Sequence, residues 1–473
     1  MPRKPRQSGR FTAICVVLLF MAMSMPRSAS GSDYSVPDSG VERQITHGPG
    51  GRILTNTGVW SPDSQWIIYD RRSDPAGDIF DSSRIEAVHV DTGEVRILYH
   101  AVNGANCGVA THHPNLPLIV FILGPEHPTD DWSYGPNHRQ GVVVDTRVPD
   151  TFKRLDARDL TVPLTPGALR GGTHVHVWDA AGDWLSFTYN DALVEPGLRD
   201  IGISVPDHKV EVKSDHPRNH DGDWFSTLVT RTVPAPTPGS DEIKRANEEG
   251  WIGTNGYIRK DGARQHRAIA FQGQVVSADG EDIVEVFVVD LPELSADVTT
   301  NMQNSSHNRV EPLSGAGQRR LTYTTNRGYP GIQGTRHWLR SSPDGSRIAC
   351  LMKDDSGISQ IFTVSPATGE IQQLTHNSSD ITSAFTWSPD GRWIAHGMKD
   401  GICLTDTQSG ETRPIASHRG ETGTQESAPS KTLGEIRKEA CVFSPDGKRI
   451  AFVRSSGSEL ATTNQICILE LQE

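Results

Sequence analysis

The sequence predicts an all-β fold, a seven-bladed β-propeller whose N-terminal strand closes the last blade. Three observations predict it. A Ser-Pro-Asp turn recurs in VWSPDSQWIIYD (59–70), RSSPDGSRIACLM (340–352), TWSPDGRWIAHGM (386–398) and VFSPDGKRIAFVR (442–454). Alternating apolar runs flank each turn and read as strands. The two ends of the chain carry complementary parts of one repeat.

The turn has a physical logic. Pro fixes φ, Asp bonds back to the backbone, and Gly accepts a positive φ. After each hairpin come a third strand and a Thr/Ser-Gly turn, as in HVDTGEV (89–95), VSPATGEI (364–371) and LTDTQSGET (404–412). A fourth strand follows and ends in a phrase such as QQLTH (372–376). Four strands per unit is the anatomy of a propeller blade, which reconciles a 473-residue chain with one repeated architecture. Weaker copies are ATHHPNLPLIVFIL (110–123), HVWDAAGDWLSFTYND (176–191) and HPRNHDGDWFSTLVT (216–230). The expected propeller spans 41–473, with blades near 46–100, 101–158, 163–218, 219–293, 319–376, 377–417 and 435–473.

The last unit ends at QICILELQE after its third strand, while RQITHG (43–48) matches a closing phrase. The N-terminal strand is therefore expected to complete the last blade and leave no open edge. Cys441 and Cys467 fall on its first and third strands, about 10 Å apart and beyond disulfide reach. The segment 231–257 reads as an insertion, extended at first, with a short helix over Asp241–Glu249 capped by Ser240 and stopped by Gly250. Residues 294–318 and 418–434 read as polar, mobile loops.

Residues 1–30 read as a signal peptide, with a basic start, an apolar run over Phe11–Met25, and Ser28 and Ser30 placed for cleavage. This predicts a periplasmic or secreted product with no membrane span once the signal is removed. These residues carry Arg3, Lys4, Arg6, Arg10 and Arg27 and no acid, so their removal takes the net charge from −12 to −17. Such a product is a poor partner for nucleic acid. An acidic ligand would need a local basic or metal-bearing pocket. The five remaining cysteines are odd in number and form no CxxC, which excludes a disulfide scaffold and a thiolate zinc site. There is no GxSxG elbow, P-loop or dinucleotide fingerprint.

Histidines supply the candidate chemistry. GGTHVHVWD (171–179) sets His174 and His176 two residues apart on an inner strand. In the repeat alignment His337 shares the position of His174, and His216 that of His176. Alternation would turn all four toward the central channel. Imidazoles of this kind suit manganese, zinc or iron. Ordinary packing of buried histidines is the competing explanation. His112–His113 reads as a surface pair at a turn, and Asp130–Asp131 as a solvated turn. Trp132 and Tyr134, beside His138 and Arg139, would suit stacking on a sugar ring, and Arg336 suits either a carboxylate ligand or a bridge between blades.

The Ser-Pro-Asp-Gly units and QLTH-like phrases resemble the TolB-like propellers, which are periplasmic. Longer stretches, GGTHVHVWDAAGDWLSFTYND (171–191), TPGSDEIKRANEEGW (237–251), DWSYGPNHRQG (131–141) and RHWLRSSPDG (336–345), resemble an exported bacterial propeller family of uncharacterised function. A third, partial resemblance is to the oligogalacturonate lyases, seven-bladed propellers with a manganese-type site of three histidines and a glutamine. His174 and His176 are similar to that family's HxH pair, but Gly171 stands where its glutamine would be.

Two functions follow as expectations. One is a binding scaffold that takes a protein, peptide or glycan ligand at the channel mouth. The other is a metal-dependent β-elimination on uronates. The resemblance implies a divalent metal, manganese or zinc, at His174 and His176, with His112 or His113 for its third histidine; the repeat alignment offers His216 or His337 instead, with His138 or Arg139 as the base.

Overall fold

The Ser-Pro-Asp turns are closed by their own side chains. In each, the Ser hydroxyl bonds the Asp carboxylate two residues on, as in Ser61–Asp63, Ser342–Asp344, Ser388–Asp390 and Ser444–Asp446. The left-handed position is Gly345, Gly391 or Gly447, each with φ near 74°, and in the first copy Ser64 with φ 58°. A computed structural model describes residues 39–54, 57–74, 78–193, 197–293, 310–399, 401–419, 436–458 and 461–472. The expected signal peptide and most of the two polar loops lie outside them.

These hairpins seed seven antiparallel sheets arranged as a propeller. Blade one uses Gly51–Ile53, Trp66–Arg72, Arg84–His89 and Val95–His100. Blade two uses Cys107–His112, Leu118–Leu123, Gln140–Asp145 and Phe152–Arg154. Blade three uses Gly171–Trp178, Leu185–Asp191, Asp200–Val205 and Phe225–Leu228, and blade four Arg245–Trp251, Ala268–Val276, Asp282–Asp290 and Gly317–Arg320. Blades five and six begin at Arg340–Ser341 and Thr386–Trp387. In blade seven, Ile436–Phe443, Arg449–Ser458 and Ala461–Leu471 are joined by the N-terminal strand Ser39–Gln44, antiparallel to Ala461–Leu471. The expected closure is present. The strand Ala416–Arg419 extends this sheet by pairing parallel to Ser39–Glu42. Cys441 and Cys467 both pair across from Phe452, on its two sides, and neither is in a disulfide.

Packing lies between neighbouring sheets. One apolar cluster runs from Val442 and Ile466 of blade seven through Ile67 of blade one to Ile119 of blade two. Indole N–H groups tie blades together: Trp60 donates to Val442 O, Trp251 to Val177 O and Trp387 to Arg340 O.

The region 216–257 departs from expectation. HPRNHDGDWFSTLVT does not open blade four, because Phe225–Leu228 pairs with Asp200–Val205 as the outer strand of blade three. The helix expected over Asp241–Glu249 is absent, and among the described residues there is no helix at all. Arg245–Trp251 is instead the inner strand of blade four, paired with Ala268–Val276. KRANEEGW is rich in helix formers, and tertiary pairing overrides that weak preference. Ser240 closes a turn with Thr237 O, while Glu242 accepts from Thr237. The added piece in blade four is the hairpin Tyr257–Ile258 with Arg264–Gln265.

Candidate functional site at the channel

The inner strands of blades two, three and four share an irregularity. Each carries a non-glycine residue in the left-handed region: Val109 (φ 59°), Val175 (58°) and Glu248 (53°). Strand pairing slips at the same places, between Gly108 and Thr111, His174 and Val177, and Asn247 and Gly250. Such bulges cost energy and concentrate at functional sites. They also interrupt alternation, so His174 and His176 do not share the surroundings that a regular strand would give them.

His176 turns toward blade two. A Cβ placed on Gly141 would lie 2.5 Å from His176 Nε2 and 3.0 Å from Asp156 Oδ1. Only glycine leaves room for both. Asp156 Oδ1 accepts from Gly141 N (2.8 Å) and Thr173 Oγ1 (3.2 Å), while Asp156 Oδ2 and both His176 ring nitrogens are buried without a partner. Burial pushes Asp156 up to about 6 and His176 down to about 3.

His174 lies among cations. It is 1% exposed, and neither ring nitrogen has a hydrogen-bond partner. Burial holds its pKa well below the usual value, and Arg199, Arg139 and Arg336 add to the effect. Arg199 is tied in by Thr188, whose hydroxyl accepts from Arg199 Nη2 (2.9 Å) and donates to His174 O (3.1 Å). Arg336 bridges blades five and four through Glu248 (3.0 Å). Arg139 arrives on the loop that follows Tyr134. Arg158 Nη2 holds that loop through His138 O (3.1 Å) and Arg139 O (2.6 Å), and the loop lies against Gly172, where a Cβ would be 2.1 Å from Pro136 O. The Arg139 guanidinium stands over the Tyr134 ring at 4.9 Å and the Phe80 ring at 5.6 Å. Below, Val109, Val175, Ile122 and Trp338 pack into one apolar cluster, with Arg336 over the Trp338 ring.

The remaining candidates sit elsewhere. His337 occupies the repeat position of His174, but Nδ1 donates to Thr335 O (2.8 Å) and Nε2 accepts from Leu351 N (3.0 Å), so no lone pair is left for a metal. His216 is on the loop between the third and fourth strands of blade three, where Nδ1 accepts from Arg218 N, so it shares no inner-strand position with His176. His138 stacks on Trp132 at 3.8 Å and bonds Ser133 O, and Tyr134 stacks on Phe80 at 4.7 Å. The two aromatic faces expected for a sugar are thus engaged within the protein. His112 and His113 are buried rather than at the surface, and His113 packs against blade three through Gly182 O.

A metal centre does not fit this donor set. Among the described residues no three His, Cys, Asp or Glu side chains come together so as to hold an ion. His174, whose two ring nitrogens are unpartnered, feels guanidiniums that oppose a cation. A side chain at position 171 would meet Asn190 O at 2.0 Å, so a glutamine has no place there.

Sequence reasoning missed four participants. Arg199 follows an irregular loop and has no motif. Glu249 was hidden by the helix reading. It is fully buried with both carboxylate oxygens unpartnered, and burial pushes it up to about 8. Trp338 lay one residue from His337 without a pattern. Asp156 had a usable signal, because RLDA (154–157) stands where QLTH stands at 373–376.

Known proteins resemble the chain in fold and in sequence. An oligogalacturonate lyase from Vibrio parahaemolyticus superposes with a TM-score of 0.50 at 10% identity, over 91% of this chain and 94% of that one. TolB from Acinetobacter baumannii gives a TM-score of 0.35 at 12% identity, over 90% and 79% of the two chains. Residues 106–220 match a family model described as a protein of unknown function, DUF3748. The uncharacterized protein YidR of Escherichia coli (strain K12) is 41% identical over 433 residues, 89% of this chain and 97% of that one. The chain therefore belongs to the DUF3748 family, a YidR homologue built on a β-propeller.

Proposed function

We propose that this is an exported propeller that binds a protein, peptide or glycan ligand at the end of its channel, between blades two and five. One observation carries the reading: His174 is buried with both ring nitrogens unpartnered, and three guanidiniums act on it. Buried polar groups in a purely structural core are almost always paired. Three adjacent strained bulges at the same place support it further. Export rests on the signal-like residues 1–30.

Hydrogen exchange on the chain lacking residues 1–30 tests the reading. The panel is acidic and neutral oligosaccharides and acidic peptides. A true ligand protects backbone amides at 134–139 and 335–337. Protection confined to the outer strands, or none across the panel, rejects it.

The metal-dependent lyase is a second reading, favoured only by the free nitrogens of His174 and His176. The hydrogen bonds of His337, the loop position of His216 and the guanidiniums around His174 weigh against it. Stoichiometric metal that is lost in a His174→Ala/His176→Ala variant would revive it.

A further inference from the structure

We propose that the end of the channel is an oxyanion site, in which Arg139, Arg199 and His174 hold a carboxylate or sulfate group of the ligand with no metal ion between them. This deepens the channel-binding reading and rests on it. The histidine that looks like a cation ligand in the sequence is, in the fold, a donor to an anion.

The inventory of unmatched atoms carries the inference. Arg139 Nε, Arg199 Nε and Trp338 Nε1 are buried without a partner, and each can only donate. Tyr134 Oη is buried and interacts with the Arg139 side chain, and a neutral imidazole at His174 adds one N–H. Among the described residues neither Arg139 nor Arg199 forms an ion pair. Two acids act on Arg199. Glu248 is bound to Arg336, and burial pushes the Glu249 carboxyl up to about 8. Both guanidiniums are half-buried, each with its Nε buried and unmatched, so two cations without an ion pair of their own converge near His174 and suit an anion. Guanidiniums favour planar oxyanions, which accept two parallel N–H bonds. Val175, next to His174 in the chain, packs with Val109 and Trp338 in one apolar cluster, and apolar surroundings strengthen such bonds.

The experiment titrates the chain lacking residues 1–30 with inorganic sulfate and with malonate, and with chloride at equal ionic strength as the control. Readouts are the melting temperature and the His174 imidazole resonances. Sulfate or malonate should shift both saturably, chloride should not, and EDTA should change nothing. Which of the two binds more tightly separates a sulfate from a carboxylate ligand. Arg139→Gln should weaken the response roughly tenfold or more, as expected for a lost charged hydrogen bond. Arg199→Gln serves as an independent variant should the first fail to fold. An equal response in wild type and both folded variants overturns the inference, as does a response that needs added manganese. A neutral ligand that protects 134–139 with no anion effect would sink the oxyanion site and leave the binding reading standing. An anion response with no larger ligand from the panel would do the reverse.

Discussion

Gly141 shows how one side chain, or its absence, sets the chemistry of an interface. In other blades the third strand carries a β-branched residue here, such as Ile201, Ile361 or Ile466, and its N–H bonds a threonine hydroxyl. Blade two substitutes Gly141 and Asp156 at this pair of positions, and His176 of blade three fills the room. Gly141→Ala forces a methyl to within 2.5 Å of His176 Nε2. Overpacking of this kind costs about 1–3 kcal/mol. Urea unfolding should report a loss in that range, and an unchanged midpoint would mean that His176 moves aside freely. Both substitutions were visible in the sequence, but only a register tied to the turns makes them a pair. His174 and His176 were legible as buried strand residues. Their separate surroundings were not, because the bulge at Val175 leaves no sequence mark: valine is among the residues least suited to a positive φ. Arg139 was singled out as a base, and the packing that half-buries it, with no ion pair among the described residues, depends on Phe80, 59 positions earlier in the chain.

The closing phrase of each blade is a capping device. Thr375 Oγ1 accepts from Ile361 N (2.9 Å) and donates to Gln360 Oε1 (2.8 Å). Thr46 does the same for Ile466 and Gln465, and Thr230 for Ile201 and Asp200. This is why an Ile preceded by Gln or Asp in the third strand goes with a Thr after an apolar residue in the closing phrase. Thr375→Val keeps the shape and strands the buried Ile361 N–H, while Gln360 Oε1 keeps only its bond from Asn377 N, at a cost of about 1–3 kcal/mol. Thermal melting should fall by several degrees, and a Thr375→Ser variant should recover most of it. A valine variant as stable as wild type would show the hydroxyl to be dispensable. Strands with this much local grammar were readable without a structure: the hairpins, the turns and the N-terminal closure all came from short-range chemistry. Arg245–Trp251 was not readable. Its residues favour a helix, its turn lacks Ser-Pro-Asp, and its partner strand follows only after the Tyr257–Gln265 hairpin. Misplacing it moved the start of blade four and hid Glu249.

The molecule as a whole is acidic, yet its channel end gathers arginines, and this contrast shapes how stability responds to pH. Blades stack on one another through apolar faces, so the ionisable groups that matter are those trapped on the inner strands. Glu249 is the strongest case, fully buried with its carboxyl pushed up from 4.5 to about 8 by burial. A carboxyl whose pKa is higher in the folded chain holds its proton there after the unfolded chain has lost it. Between about pH 4.5 and 8 the folded state therefore binds more protons, and stability falls as pH rises, with the full penalty present above about 8. Asp156 acts in the same direction, but its contribution is complete near pH 6. The buried histidines act oppositely: their folded pKa values lie below 6.5, so they cost stability as pH falls beneath that value. Buried Cys107, Cys350, Cys403 and Cys441, whose thiols burial pushes up, lower stability in the same way as pH nears 9, so Glu249 is isolated by comparing a variant with wild type. Glu249→Gln keeps the side-chain shape and removes the titration. At pH 4 the variant should unfold within experimental error of wild type. By pH 9 it should be more stable by a few kcal/mol, on the scale of about 1.4 kcal/mol for each pH unit of displaced titration. Denaturant unfolding of both proteins at the two pH values checks this, and parallel behaviour would place the Glu249 carboxylate in contact with a cation or water at neutral pH, where it would then offset Arg199 and weaken the case for an anion in the channel.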